Sequence, residues 1–201
     1  MILRAHNWAS NAHLIADVAK LGYINNHCLD ATYGEGKFWT LFEPKRLVAN
    51  DKYKGNQYNS LRWIWNFDFT DLPPGWYERF DTVVFDPPYK LNGTPDLGQM
   101  DFLYGVDRPL KWQGRMQLII NGAFECARVT AKGGTILVKC QDQVCSGAVR
   151  WQTDEITKVL EPVAKKVDRF DYIRTPQPQP KGRRQVHASA NTSQLLVFRK
   201  R

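Results

Sequence analysis

The sequence predicts an α/β domain built on a seven-stranded, mostly parallel sheet whose last strand returns antiparallel. Three observations predict it. Short apolar runs alternate with helical stretches, acids and glycines gather where the apolar runs end, and 201 residues suit one domain spanning 1–201 with a core of ordinary size.

Taken in order, Asn11 to Leu21 sets Leu14, Ile15, Val18 and Leu21 on one helical face, with Ser10 or Asn11 to cap its start and Gly22 to end it. His27 to Thr32, Arg46 to Asp51, Trp63 to Asp68 and Thr82 to Asp86 are the first four strands. A helix is expected from Glu35 to Phe42, closed by Pro44, and a longer one from Gly114 to Thr130. Gly133 and Gly134 then precede a strand from Thr135 to Cys140. Thr153 is placed to cap a helix reaching Leu160, with Asp154 and Glu155 in its first turn and Pro162 beyond its end. Val167 to Tyr172 and Gln194 to Phe198 complete the sheet. Two long irregular segments interrupt the rhythm, Lys90 to Gln113 and Thr175 to Ser193, and loops longer than about 12–15 residues are uncommon in compact domains unless they have a function.

A hydrophobic fraction of 43% and a charged fraction of 24% exclude a disordered or fibrous chain. Met1 to Gly22 has no apolar stretch of signal-peptide or membrane-spanning length, so a cytoplasmic protein with no membrane partner is expected. Cys28, Cys126, Cys140 and Cys145 lack C-x-x-C spacing and read as reduced, structural thiols. Their spacing is also wrong for zinc, and no metal is expected. The net charge of +8 is wholly C-terminal: residues 165–201 carry ten Lys or Arg against two acids, and residues 1–164 carry eighteen of each. A basic cluster of this kind attracts a polyanion, although a solvated basic face is an equally ordinary reading of it alone.

The first strand ends in Asp30-Ala31-Thr32-Tyr33-Gly34-Glu35-Gly36 and the second in Asp51. Glycines at a strand-to-helix turn let a ligand approach the backbone, and an acid ending the next strand suits ribose hydroxyls. Trp39 stands where a dinucleotide fingerprint needs a third small residue, which disfavours a pyrophosphate cofactor. Asp86-Pro87-Pro88-Tyr89 follows the apolar run Thr82-Val83-Val84-Phe85 directly. A carboxylate and a carbonyl beside a rigid proline pair can accept the two protons of an amino group, and Tyr89 offers a flat face to a flipped base.

These paired signatures resemble those of the S-adenosylmethionine-dependent amino-methyltransferases of the adenine-N6 and cytosine-N4 type, across nearly the whole chain. The resemblance implies a Rossmann-like methyltransferase fold and transfer of a methyl group to an exocyclic amino nitrogen, most readily in DNA. It places Asp30, Thr32, Gly34 and Gly36 at the cofactor's methionine moiety, Asp51 at its ribose, and Asp68 with Phe69 at its adenine. Asp86 would hold the amino group, the Pro87 carbonyl would help aim it, Pro88 would stiffen the turn and Tyr89 would stack. A narrower likeness, to small methyltransferases of actinobacteria and their phages, rests on Asp101-Phe102-Leu103-Tyr104-Gly105-Val106, Val138-Lys139-Cys140, and Arg184-Gln185-Val186-His187 with Asn191 and Ser193. Most restriction-type enzymes carry a separate target-recognition domain; none is expected here, and a partner protein or self-association is a candidate source of target recognition.

Ligands of a doubly wound sheet bind at the carboxyl ends of its parallel strands. Both long loops are expected on that rim, where Lys90, Lys181, Arg183, Arg184 and His187 would meet nucleic acid, the expected partner. RNA guanine-N2 methylation, glutamine methylation in a protein, and a non-catalytic nucleic-acid-binding module remain alternatives. A cytosine-C5 enzyme is disfavoured, because none of the four cysteines follows a proline.

Overall fold

A computed structural model describes residues 8–53, 57–58, 63–91, 110–173 and 192–201. In chain order its strands are β1 (His27–Asp30), β2 (Arg46–Asn50), β3 (Gln57–Tyr58), β4 (Trp63–Trp65), β5 (Phe80–Phe85), β6 (Thr130–Cys140), β7 (Gln143–Cys145), β8 (Ala148–Arg150), β9 (Ala164–Ile173) and β10 (Thr192–Lys200). The principal sheet has the spatial order β3-β4-β2-β1-β5-β6-β10-β9, and β7 pairs with β8 in a separate hairpin. Without the two-residue edge strand β3, this is the expected seven-stranded sheet: β4, β2, β1, β5 and β6 are parallel neighbours, and β10 pairs antiparallel with both β6 and β9.

Strand alternation gives the sheet two apolar faces. Leu29, Val83, Phe85, Ile136 and Val138 face α2 (Trp112–Val129) and α3 (Gln152–Leu160), where Ile119, Ala123, Cys126, Ile156 and Leu160 complete one cluster. Cys28, Val84, Leu137, Leu195 and Val197 form the other with Leu14, Ile15 and Val18 of α1 (Asn11–Lys20). Gly122 belongs on α2 because a Cβ there would sit 2.4 Å from the Phe85 ring and 2.7 Å from that of Phe69. All four cysteines are buried and free, and burial pushes the Cys28, Cys126 and Cys140 thiols up, leaving them protonated and unreactive. Among the described residues, no helix is long and apolar enough to cross a membrane.

Several local expectations are corrected. The Glu35–Phe42 helix is instead one 3₁₀ turn, Lys37–Trp39, entered through Gly36 at φ +68°. The reason is packing: the Trp39 indole N–H donates to buried Asp30 at 2.7 Å, which turns the chain inward before an α-helix can extend. Thr153 lies inside α3 rather than at its cap; the Asp142 carboxylate accepts both its backbone N–H and its hydroxyl, capping the helix from a distant turn. Ser10 occupies the cap position of α1, yet its hydroxyl pairs with His13. The strand after Trp63 ends at Trp65, because Asn50 captures the Phe67 backbone from both sides. The β7–β8 hairpin is an addition to the expected elements. Trp63 and Trp65 pack edge to face, and Trp65 continues through Phe67 to Trp76, so this pair covers the sheet edge.

Candidate active site

Strand order reverses between β1 and β5, the two strands whose carboxyl ends carry the sequence motifs. This is where a doubly wound sheet opens a crevice. Across it the Ala31 amide donates to the Val84 carbonyl at 2.9 Å, and the Asp86 amide donates to Thr32 Oγ1 at 2.8 Å. The glycine turn and the Asp-Pro-Pro-Tyr turn are therefore joined by hydrogen bonds through Thr32. Pro87 is buried, Asp86, Pro88 and Tyr89 are partly buried, and Lys90 is exposed.

Asp30 is 3% exposed and accepts hydrogen bonds from the Thr32 amide and the Trp39 indole. Burial, reinforced by the nearby Asp86 and Asp51 carboxylates and opposed by those two hydrogen bonds, pushes its pKa up to about 7. Asp51, at the end of β2, accepts the Gly34 amide at 2.8 Å and the Tyr53 amide at 3.0 Å. It thereby shapes the glycine turn from the end of β2. Gly34 and Gly36 have φ of +54° and +68°, a left-handed backbone that strains other residues. A Cβ on Gly36 would meet the Tyr33 hydroxyl at 2.5 Å, so Tyr33 packs against that glycine, whereas a Cβ on Gly34 would meet nothing closer than 3.9 Å among the described residues and the space beside it is unfilled by their side chains.

Asp68 and Phe69 are tied less directly to this centre. Asp68 accepts hydrogen bonds from Thr70 and pairs with Lys52 at 2.9 Å; burial opposes its ionisation, but these bonds prevail and lower its pKa. Phe69 packs its ring 5.2 Å from that of Phe85. Lys181, Arg183, Arg184 and His187 lie outside the described residues, as does most of each long loop. The chain leaves β9 at Ile173 and re-enters at Thr192, positions paired with each other at the same end of the sheet as Cys140.

Four site features escape simple motif reading. Buried Asn50 bridges the Ala31 and Phe67 carbonyls, fixing the crevice floor. Gln143 and Gln152 bond the Tyr89 carbonyl, and Lys139 lies buried beside the Tyr89 ring. Only Lys139 carries a visible signal, a lone charge in the apolar run Thr135 to Cys140. An open polar cleft lined by Asn25, Asn26, Asp81 and Lys132 lies at the opposite, amino ends of β1 and β5 and is not part of this site.

The raised Asp30 predicts a pH effect with a defined sign. Between about pH 4 and pH 7 the unfolded chain ionises this carboxyl while the folded chain keeps its proton, so stability should fall as pH rises through that window and level off above 7. Asp30→Asn should remove this contribution, moving stability relative to wild type in the variant's favour by up to roughly 4 kcal/mol between the two ends. Denaturant unfolding at pH 4 and pH 8 measures it, and equal pH dependence in both proteins would assign the slope elsewhere.

No family model matches the sequence, and no curated protein matches it. Solved structures do. A putative methyltransferase from Bacillus halodurans C-125 aligns with a TM-score of 0.57 and 15% identity, over 92% of this chain and 97% of that one. The N-methyltransferase NodS from Bradyrhizobium japonicum WM9 aligns at 0.52 and 14%, over 94% and 93%. TrmN from Thermus thermophilus aligns at 0.56 and 13%, over 96% of this chain and 50% of that one. The chain thus has the Rossmann-like fold of these methyltransferases.

Proposed function

We propose that the chain is an S-adenosylmethionine-dependent methyltransferase acting on an exocyclic amino nitrogen of a nucleic-acid base, adenine N6 or cytosine N4 in DNA. The observation that carries this reading is the junction at the sheet's switch point, where Thr32 of the cofactor-type turn holds the backbone of Asp86 at 2.8 Å. NodS has been solved with S-adenosyl-l-homocysteine bound, in a structure that aligns with a TM-score of 0.54 and 11% identity over 94% of this chain and 85% of that one. Two features support such a cofactor: Gly34 has a positive φ with no side chain pressed against it, and the Asp51 and Asp86 carboxylates, whose charge helps raise the Asp30 pKa, would offset a cationic ligand.

The cofactor supplies an electrophilic methyl group on a sulfonium. Asp86 and the Pro87 carbonyl accept the two amino protons of the acceptor and leave its nitrogen lone pair aimed across the crevice. Pro87 and Pro88 hold that geometry without adjustment during the reaction, so the chain's contribution is positioning followed by proton acceptance at Asp86. When methyl transfer to that nitrogen leaves it with an acidic proton, the Asp86 carboxylate would take that proton. Tyr89 stacks on the base, and Lys90, Lys181, Arg183, Arg184 and His187 contact flanking phosphate. Target selection by a partner protein or a second copy completes the reading.

Incubation with labelled cofactor and separate DNA, RNA and protein pools, followed by nucleoside and amino-acid analysis, tests it. Label on N6-methyladenine or N4-methylcytosine from DNA is the expected result. Label in RNA guanine or in protein glutamine would replace the substrate assignment, and no transfer at all would remove the enzymatic one. Replacing Lys181, Arg183 and Arg184 together with alanine should also flatten the salt dependence of duplex DNA binding, by up to roughly 0.9 in log–log slope for each phosphate that loses its cation, with cofactor affinity intact.

A further inference from the structure

Tyr89 is gripped through both its backbone and its ring. Its carbonyl accepts Gln143 Nε2 at 2.7 Å and Gln152 Nε2 at 2.6 Å. Gln143 also accepts the Leu91 amide through Oε1 at 3.1 Å, so one side chain satisfies two backbone groups of this turn as a neighbouring strand would. Gln152 is fully buried at the start of α3, and its own Oε1 takes the Gln141 amide at 3.3 Å. Facing the ring, Lys139 Nζ lies 5.9 Å from the Tyr89 centroid and 5.6 Å from those of Phe38 and Tyr172, within cation–π range. The same ammonium donates to Asn11 Oδ1 at 2.6 Å.

Lys139 is 2% exposed. Burying an ammonium is costly, and here the cost is met by the Asn11 bond and by three aromatic rings. These contacts join the start of α1, the turn after Gly36, the Asp-Pro-Pro-Tyr segment and the end of β9. A platform ordered in advance spares the acceptor the entropy of ordering it on binding.

We propose that Lys139, Gln143 and Gln152 are positioning residues that preset Tyr89 for the acceptor base, the glutamines through its carbonyl and Lys139 through its ring. The inference rests on Tyr89 being the stacking residue of the proposed reaction. Because all three act through Tyr89, their effects on turnover should vanish where Tyr89 is already gone.

The test uses the full chain with Lys139→Met, Lys139→Arg and Gln143→Ala, each alone and the first also combined with Tyr89→Ala. Steady-state kinetics on duplex DNA, cofactor calorimetry and hydrogen exchange across residues 86–91 are measured. Lys139→Met should leave the protein folded and cofactor affinity within about twofold, yet lower kcat/KM about tenfold or more, with Lys139→Arg recovering part of the loss. Gln143→Ala should speed exchange of the Leu91 amide about tenfold. In the Tyr89→Ala background, Lys139→Met should cause no further loss; a full additive loss would overturn its action through Tyr89. Should wild type methylate no nucleic acid, the proposed function fails by itself, and the grip is judged by exchange alone: faster exchange in Gln143→Ala supports it and unchanged exchange overturns it.

Discussion

Asp86→Ala is expected to lower methyl transfer by about 10²–10⁴-fold, the range associated with a positioned proton acceptor, while the protein stays folded and binds its cofactor. The separation follows from which atoms do what. The bond that ties this turn to Thr32 uses the Asp86 backbone amide, which alanine retains, so the geometry of Pro87 and Pro88 survives. What disappears is the carboxylate proposed to accept an amino proton, an interaction that would be used most fully as the nitrogen attacks and becomes acidic. Removing that charge also eases the crowding on Asp30, whose raised pKa owes part of its shift to Asp86, so the variant should bear an Asp30 that ionises at lower pH. Single-turnover rates and cofactor calorimetry on the same preparation measure both halves. Ordinary turnover would show that the tetrapeptide is a structural turn and nothing more.

Much of this centre was legible because its chemistry is local in sequence. A sharp turn needing positive φ requires glycine, and Gly34 and Gly36 therefore announce themselves; a proline pair after an apolar run marks a rigid exit from a buried strand. Parallel pairing then brings the two turns together, since β1 and β5 are direct neighbours in register from Cys28 opposite Thr82. The supporting residues were hidden for the opposite reason. Gln143 and Gln152 reach Tyr89 from more than fifty residues away, and glutamine is so common on surfaces that nothing in the sequence distinguishes a clamp from a solvated side chain. The helix expected after Gly36 fails similarly, because the Trp39–Asp30 bond that draws the chain inward depends on a tertiary contact that no helical periodicity encodes. Asn50 closes the crevice floor with three backbone bonds, yet in sequence it is only the polar end of a strand.

Asp51→Ala should weaken cofactor binding by about 10–100-fold, corresponding to roughly 1–3 kcal/mol for hydrogen bonds lost around a partly buried carboxylate. Two losses act together. On the proposed reading the ribose loses its acceptor, and the Gly34 and Tyr53 amides lose theirs, so the glycine turn loosens where the cofactor is proposed to lie. Asp51→Asn separates these contributions, because an amide oxygen can still accept one backbone N–H while the charge is gone. If the carboxylate acts mainly by shaping the turn, asparagine should recover most of the affinity; if it acts mainly on the ribose and on the cationic donor, asparagine should recover little. The charge part has its own signature: S-adenosylmethionine carries a sulfonium that S-adenosylhomocysteine lacks, so removing a carboxylate from the Asp30, Asp51 and Asp86 group should cost the donor more affinity than the product. Calorimetry of both ligands against wild type, Asp51→Ala and Asp51→Asn gives all three comparisons. Equal affinities throughout would place the cofactor away from the end of β2, and with it would go the assignment of this crevice as the methyl-transfer site.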